Sequence, residues 1–408
     1  MLDPERIRED FPILKERRII YFDNAATTQK PRQVIEAVKR FYERHNANIH
    51  RGLHDLSQEA SELYEEAHRV VARFIGARDM SEVVFTRHTT ESLNLVAYTL
   101  ALSQLGPGDN VVTTIMEHHS GMLPWIYLSR LRGFEVRLVK VTGDGELDYD
   151  MLEELVDERT KVVAVTHVSN MLGTINDVRR IARIAHSVGA YLVVDAAQSA
   201  PHIKLNVREM DVDFLAFSGH KMLGPTGIGV LYAKREHLEG LPPFLYGGDM
   251  VRAVHYVEGR VEAKWNELPW KYEAGTPNIV GGVGLMEAVR YLERIGMENI
   301  EEYERKLTAY LLKRLEELGD RIEVYGPRDP SRRTALAAFN VRGMDPHAVA
   351  AALNAYGIAV RSGYHCTQPL HEYLGIKNGS ARASLYIYNT VEEIDYFIEA
   401  LSSIASKS

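Results

Sequence analysis

The sequence predicts an α/β protein: a large domain on a mostly parallel seven-stranded sheet, followed by a smaller α+β domain. Three observations carry that expectation. Short β-branched runs alternate with helical stripes from about residue 80 to residue 234; a long helical stretch follows over 283–318; and strand-like runs beyond it enclose a single helix. The 408 residues exceed the usual span of one hydrophobic core. We place the large domain at 18–285 and the small one at 286–408, with residues 1–17 packing on the latter.

The large-domain strands are read at 82–86, 110–114, 135–141, 161–166, 191–195, 214–218 and 229–233. Between two of them, Val178, Ile181, Ala182, Ile184 and Ala185 fall on one helical stripe, as a crossover packed on a sheet requires. Gly189 ends that helix. The stretch over 283–318 has Gly296 as its one clear interruption and is long enough to bridge two domains. In the small domain, strands are expected at 322–325, 335–341, 358–361 and 383–388, with helices at 346–356 and from Val391 onward. No internal repeat or low-complexity segment appears, which sets solenoids and arrays aside.

Composition narrows the function class. Hydrophobic residues at 45% and charged residues at 25% are those of an ordinary globular chain. A formal net charge of -8, with no basic run, gives no footprint for gripping nucleic acid. Residues 1–13 lack the apolar core of a secretory signal, and no stretch approaches a membrane span, so no membrane partner and a cytoplasmic location are expected. The single cysteine, Cys366, rules out an internal disulfide and a thiolate metal cage, and no metal site is expected.

The chemistry gathers at strand ends. The segment DFLAFSGHKMLGPTGIG places Lys221 between a strand and a glycine-rich turn, where open α/β sheets bind ligands. An isolated lysine before a loop is ordinarily a surface residue, but Ser218 and His220 offer donors for a phosphate, and Gly224, Gly227 and Gly229 let backbone approach closely. An amine beside a phosphate site points to a Schiff base with a phosphorylated aldehyde. Asp195, at the tip of the apolar strand YLVVD, is placed to keep a pyridine nitrogen protonated, although a helix N-cap is the plainer reading of an Asp there; Gln198 follows three residues later. Thr89 and Thr90 in TRHTTESLN open a helix with hydroxyls and free amides, which serves equally for capping or for cradling a phosphate. His118 in TIMEHHS follows another strand and has a ring suited to stacking and proton exchange; a metal pair with His119 finds no third ligand. Asn170 ends AVTHVSN at a further strand tip.

Read together, YFDNAATTQKP, IHRGLH, MEHH, THVSNMLGT, VDAAQS, FSGHK, YEAGTPN and RSGYHC occur in an order that resembles the group II, SUF-type cysteine desulfurases. These are members of the class V aminotransferase family with the fold type I architecture. The resemblance implies pyridoxal 5'-phosphate held as an imine on Lys221, with Asp195 at the pyridine nitrogen, Gln198 at the ring hydroxyl, His118 over the ring and Asn170 beside it. It implies a phosphate held by Thr89, Thr90, Ser218 and His220, and by Thr276 of a second subunit, hence a homodimer. Arg382 would clamp the substrate carboxylate, with Arg361 as second choice, and His50 and Arg51 would stand near the entrance. Cys366 would take sulfur from L-cysteine as a persulfide, leaving alanine, in a positive field from Arg361, His365 and Arg382. The short interval from Arg361 to Cys366 resembles the compact group II loop, which implies delivery to a dedicated SUF-type protein acceptor for iron-sulfur assembly. The segment 253–270 resembles the β-hook near the family's dimer interface.

Two positions depart from the family pattern: His88, where relatives usually have glycine, and Tyr364, where they often have histidine. Rival readings are a selenocysteine lyase, a transaminase or kynureninase-like enzyme in which Cys366 is incidental, and a non-enzymatic sulfur-carrier scaffold.

Overall fold

The computed structural model describes residues 2–406. Its seven-stranded sheet runs Val83–Thr86, Gly229–Ala233, Phe214–Ser218, Tyr191–Asp195, Thr160–Thr166, Asn110–Thr114 and Glu135–Val139 in spatial order. Gly229–Ala233 lies antiparallel to both neighbours, and the other pairings are parallel. Such a sheet is covered on both faces, and that is why its strands read as near-continuous apolar runs. Alternate residues divide between two cores. Val163, Leu192, Val194, Leu215 and Phe217 pack with the helices Asp55–Ile75, Val178–Ser187 and Ile279–Ile295. Their neighbours Val162, Val193, Phe214 and Ala216 pack with Thr89–Gln104 and His119–Arg132.

The long helical stretch is two helices, Ile279–Ile295 and Met297–Glu316, divided at the interruption foreseen at Gly296. Gly296 breaks it with a positive φ of 88°, a conformation open to glycine at little cost. Beyond it, a four-stranded antiparallel sheet orders Ile322–Tyr325, Leu336–Val341, Ser380–Ser384 and Arg361–Gly363. Two expectations are corrected here. The run at 358–361 is two short strands: Ile358–Ala359 pairs in parallel with Ile20–Tyr21, and Arg361–Gly363 joins the four-stranded sheet. The strand expected at 383–388 lies at Ser380–Ser384. The apolar run that prompted it leaves the sheet, because Tyr386 and Tyr388 are buried in the larger core and Tyr386 Oη donates to Pro201 O at 2.9 Å.

Near the N-terminus, Phe11 packs edge-on against both Tyr291 and Tyr388, and Arg8 pairs with Glu393 at 2.7 Å. The 253–270 segment carries an exposed antiparallel hairpin, Val251–Val257 with Arg260–Trp265. No helix among the described residues is long and apolar enough to cross a membrane, and no three metal-ligating side chains cluster among them.

Candidate functional site

Thr166, Asp195 and Ser218 stand at the carboxyl ends of adjacent strands, and together with the loops above them they line a cavity of about 510 Å³. This is where an open α/β sheet binds its ligand. Lys221 follows Ser218 on a short 3-10 turn, is half-buried in the cavity wall and interacts electrostatically with Asp195 and Arg382. Loss of hydration, reinforced by Arg382, lowers its amine from 10.5 to about 8, while Asp195 holds it up. The amine therefore has a large neutral, nucleophilic fraction just above neutral pH. Asp195 is itself buried on the cavity wall; its Oδ1 accepts from Ala197 N at 2.8 Å in a turn, and no helix starts there, so it is not a helix N-cap. Burial raises its carboxyl, and the Lys221 ammonium opposes that rise.

On the opposite side, the helix Thr89–Gln104 points its N-terminus at the cavity. Thr89 N and Thr89 Oγ1 lie 2.8 and 2.6 Å from Ser218 Oγ, and Thr90 Oγ1 lies 2.7 Å from Ser120 Oγ. These hydroxyls and the helix start form a cradle with the chemistry of a phosphate site. His88 is the N-cap, its Nδ1 accepting from Glu91 N at 3.2 Å. Its φ of -177° is ordinary extended backbone, which is why a histidine fits where a glycine is usual. The close approach instead demands Gly229, where a Cβ would come within 2.5 Å of His88 Cα. His220 also lines the cavity, and burial beside Lys221 and Lys30 lowers it to about 4, so its ring is neutral.

His118 caps the helix His119–Arg132. Its Nδ1 accepts from Ser120 N at 3.2 Å, and burial next to Lys221 lowers the ring to about 3. A neutral ring whose Nδ1 accepts carries its proton on Nε2. Asn170 ties two parts of the site together: its main-chain carbonyl accepts from Arg382 Nη1 at 2.8 Å, and its side-chain Nδ2 donates to His365 O at 2.7 Å. Gln198 Nε2 donates to Ala25 O at 2.7 Å.

Arg361 and Arg382 sit directly opposite in adjacent strands. Like charges in that relation repel, and Asp23 offsets the repulsion: Arg361 Nε and Nη2 donate to its two oxygens at 3.1 and 3.0 Å, and Arg382 Nη2 lies 3.6 Å away. Arg382 is buried, and its Nε has no partner within the protein. Cys366 is exposed at the rim of the same cavity. Its backbone and that of His365 are left-handed, with φ of 58° and 49°, and the turn is held by Asn170 on His365 O and by His119 N on Cys366 O at 2.8 Å. His365 cannot add to a positive field at the thiol, because burial among Arg382, His371 and Arg361 pushes its ring well below the usual range. That expectation is corrected.

The cavity thus gathers Lys221, Cys366, His118, Thr89, Thr90, Asn170, Asp195, Gln198, Ser218, His220, Arg361 and Arg382. Thr276, His50 and Arg51 lie outside it: Thr276 is exposed, the His50 ring rests on Trp270, and Arg51 pairs with Asp249 at 3.2 Å. Asp23 and Glu117 were not singled out from the sequence, and His119 was weighed only as a metal ligand. The first was visible only as part of YFDNAATTQKP, and its role depends on two arginines more than 330 positions away.

Glu117 lies fully buried beneath the site, its Oε1 accepting from Thr114 Oγ1 at 2.7 Å and Thr166 N at 3.0 Å. Burial raises its carboxyl from 4.5 to about 8, with Asp195 adding to the rise. The folded chain therefore keeps a proton that the unfolded chain releases above pH 4.5, and stability is lost as pH climbs toward 8. Glu117→Gln, which mimics the protonated group, is expected to lose about 4 kcal/mol less than the parent from about pH 5 to about pH 8. Denaturant melts at both pH values check this, and parallel losses in the two proteins would refute it.

The comparisons agree with this geometry. Residues 20–397 match the family model described as aminotransferase class-V. A cysteine desulfurase of Haloferax volcanii is 49% identical over 98% of this chain and 97% of its own. The solved structure of a cysteine desulfurase from Thermococcus onnurineus superposes with a TM-score of 0.95 at 44% identity, covering 100% of this chain and 99% of that one. A cysteine desulfurase from Escherichia coli gives 0.91 at 37% identity, covering 100% and 99%. With the fold, the strand-end cavity and these likenesses in agreement, the chain belongs to the aminotransferase class-V family.

Proposed function

We propose that this protein is a cysteine desulfurase that uses pyridoxal 5'-phosphate to release sulfur from L-cysteine as a persulfide on Cys366, leaving L-alanine. The single observation that carries the reading is that the only cysteine and Lys221 line one cavity. The residues fit the cofactor: an amine lowered to about 8, a buried carboxyl, a hydroxyl-lined helix start, and a glycine where a Cβ would collide. When bound, the cofactor supplies an electron sink that makes the substrate sulfur open to attack.

The chain's own residues do the rest. Lys221 holds the aldehyde, Asp195 keeps the ring nitrogen protonated, and Gln198 and Asn170 flank the ring. Thr89, Thr90, Ser218 and His220 hold the phosphate. His118, neutral with its proton on Nε2, donates and recovers a proton at the substrate. Arg382 receives the carboxylate, with Arg361 beside it. Cys366, as the thiolate, attacks sulfur.

In this reading Thr276 reaches the phosphate of a second copy, with His50 and Arg51 at that copy's entrance. The exposed position of all three and the apolar surface of the hairpin, with Tyr256 80% and Val261 71% exposed, support a homodimer. The fixed, compact cysteine loop supports a SUF-type protein acceptor and a role in iron-sulfur cluster assembly.

The decisive experiment is mass spectrometry of Cys366 after exposure to L-cysteine without reductant. A gain of one sulfur atom is expected, and an unmodified thiol alongside full alanine release would overturn the reading. Arg382→Lys keeps the charge but loses the fork. It is expected to raise KM for L-cysteine about 10- to 100-fold with a smaller change in kcat, and an unchanged KM would remove Arg382 from carboxylate binding.

A further inference from the structure

Behind the cysteine loop lies a group of polar side chains that the reaction as described does not use. His371, on the helix Gln368–Tyr373, and Ser380, at the start of Ser380–Ser384, are fully buried, and His365 is 8% exposed. The hydrogen bonds among them determine where each proton sits. His371 Nδ1 lies 3.0 Å from Thr367 O, and because a carbonyl only accepts, Nδ1 must carry the proton. Burial keeps the His371 ring neutral, so its Nε2 has a lone pair and accepts from the Ser380 hydroxyl at 3.1 Å. Ser380 has then spent its one proton. Its oxygen, 3.0 Å from His365 Nε2, accepts from that nitrogen. His365 is left with a bare Nδ1, enclosed in the protein and facing no donor.

This bare acceptor belongs to the residue just before the thiol. The charged and titratable groups around the pair are Arg361, Arg382 and Lys221, with Asp23 engaged by the two arginines, and His118, His119 and His371. Tyr364 seals the far side, its ring edge-on to His371 at 5.5 Å and its hydroxyl donating to Lys377 O at 2.7 Å.

We propose that Ser380 and His371 are positioning residues for thiol activation: the chain from Thr367 O through His371 and Ser380 fixes His365 with a bare Nδ1, and that nitrogen takes the proton of Cys366. The proposal rests on the reading of Cys366 as the sulfur acceptor. The exposed thiol turns inward, its S–H bond breaks with the electron pair staying on sulfur, and an N–H bond forms at His365 Nδ1. The Nε2 proton passes to Ser380 Oγ while the hydroxyl proton passes to His371 Nε2. His371 ends as the cation, still donating from Nδ1 to Thr367 O. The positive charge is thereby moved away from Arg382 and Arg361, whose repulsion adds to the burial that holds His365 neutral.

The test is the rate of Cys366 alkylation by iodoacetamide against pH in the purified protein, which needs no turnover. Ser380→Ala is expected to move the midpoint up by about one pH unit and to slow alkylation near neutrality about tenfold. Ser380→Thr, which restores a hydroxyl, is expected to recover the parental profile. Should Ser380→Ala fail to fold, His371→Gln carries the same readout. A variant that folds and keeps the parental profile overturns the relay. Persulfide formation on parental Cys366 then shows that only the relay has failed, whereas its absence there brings down the desulfurase reading itself.

Discussion

Cys366→Ala is expected to leave a folded, yellow protein whose release of alanine from L-cysteine has dropped at least about a thousandfold, some 4 kcal/mol of transition-state stabilisation. The chain holds no second cysteine to take over, so the loss should not be rescued from within the molecule. Stability should hardly change. The side chain is exposed, and alanine meets the same left-handed backbone that cysteine already occupies. The measurement is a single-turnover assay of alanine beside a visible spectrum. Activity within tenfold of the parent would return the protein to the transaminase-like reading.

Lys221→Ala attacks the other half of the site and should cost as much, by a different route. Removing the amine leaves Asp195 buried without the cation that opposes its rise, and removes the group that would bind the aldehyde covalently. Borohydride treatment of the cofactor-loaded parent should fix the cofactor to the peptide containing residue 221, and the variant should yield none. Alanine release should again fall by at least about a thousandfold. In the parental apo-protein, the rate of aldehyde uptake should rise with pH and level off above about 8, because only the neutral amine reacts and burial has lowered it to about 8 from 10.5. A plateau reached only near the ordinary lysine range would contradict the burial that the structure describes.

Much of this site is legible in the residues because strands covered on both faces must be apolar up to their ends. The first polar residue after such a run, as at Asp195 or Ser218, stands at the sheet edge where ligands bind. The same reasoning misplaces the strand at Ser380–Ser384: the apolar residues 385–388 look like its continuation but are buried against another element, and burial alone does not tell a sheet from a seam. Asp23, His119, Ser380 and His371 escape for a different reason. Each acquires its role from a register or a long-range contact, such as Arg361 opposite Arg382, that no local pattern encodes.

The two hooks on the cysteine turn differ in kind. One is the side chain of Asn170, open to change by mutation; the other is the main-chain amide of residue 119, which every amino acid but proline supplies. The anchorage of the turn that bears Cys366 is thus half independent of sequence. On the proposed reading an acceptor of the sulfur has to make the journey itself, since the turn that bears Cys366 is tethered at residues 119 and 170.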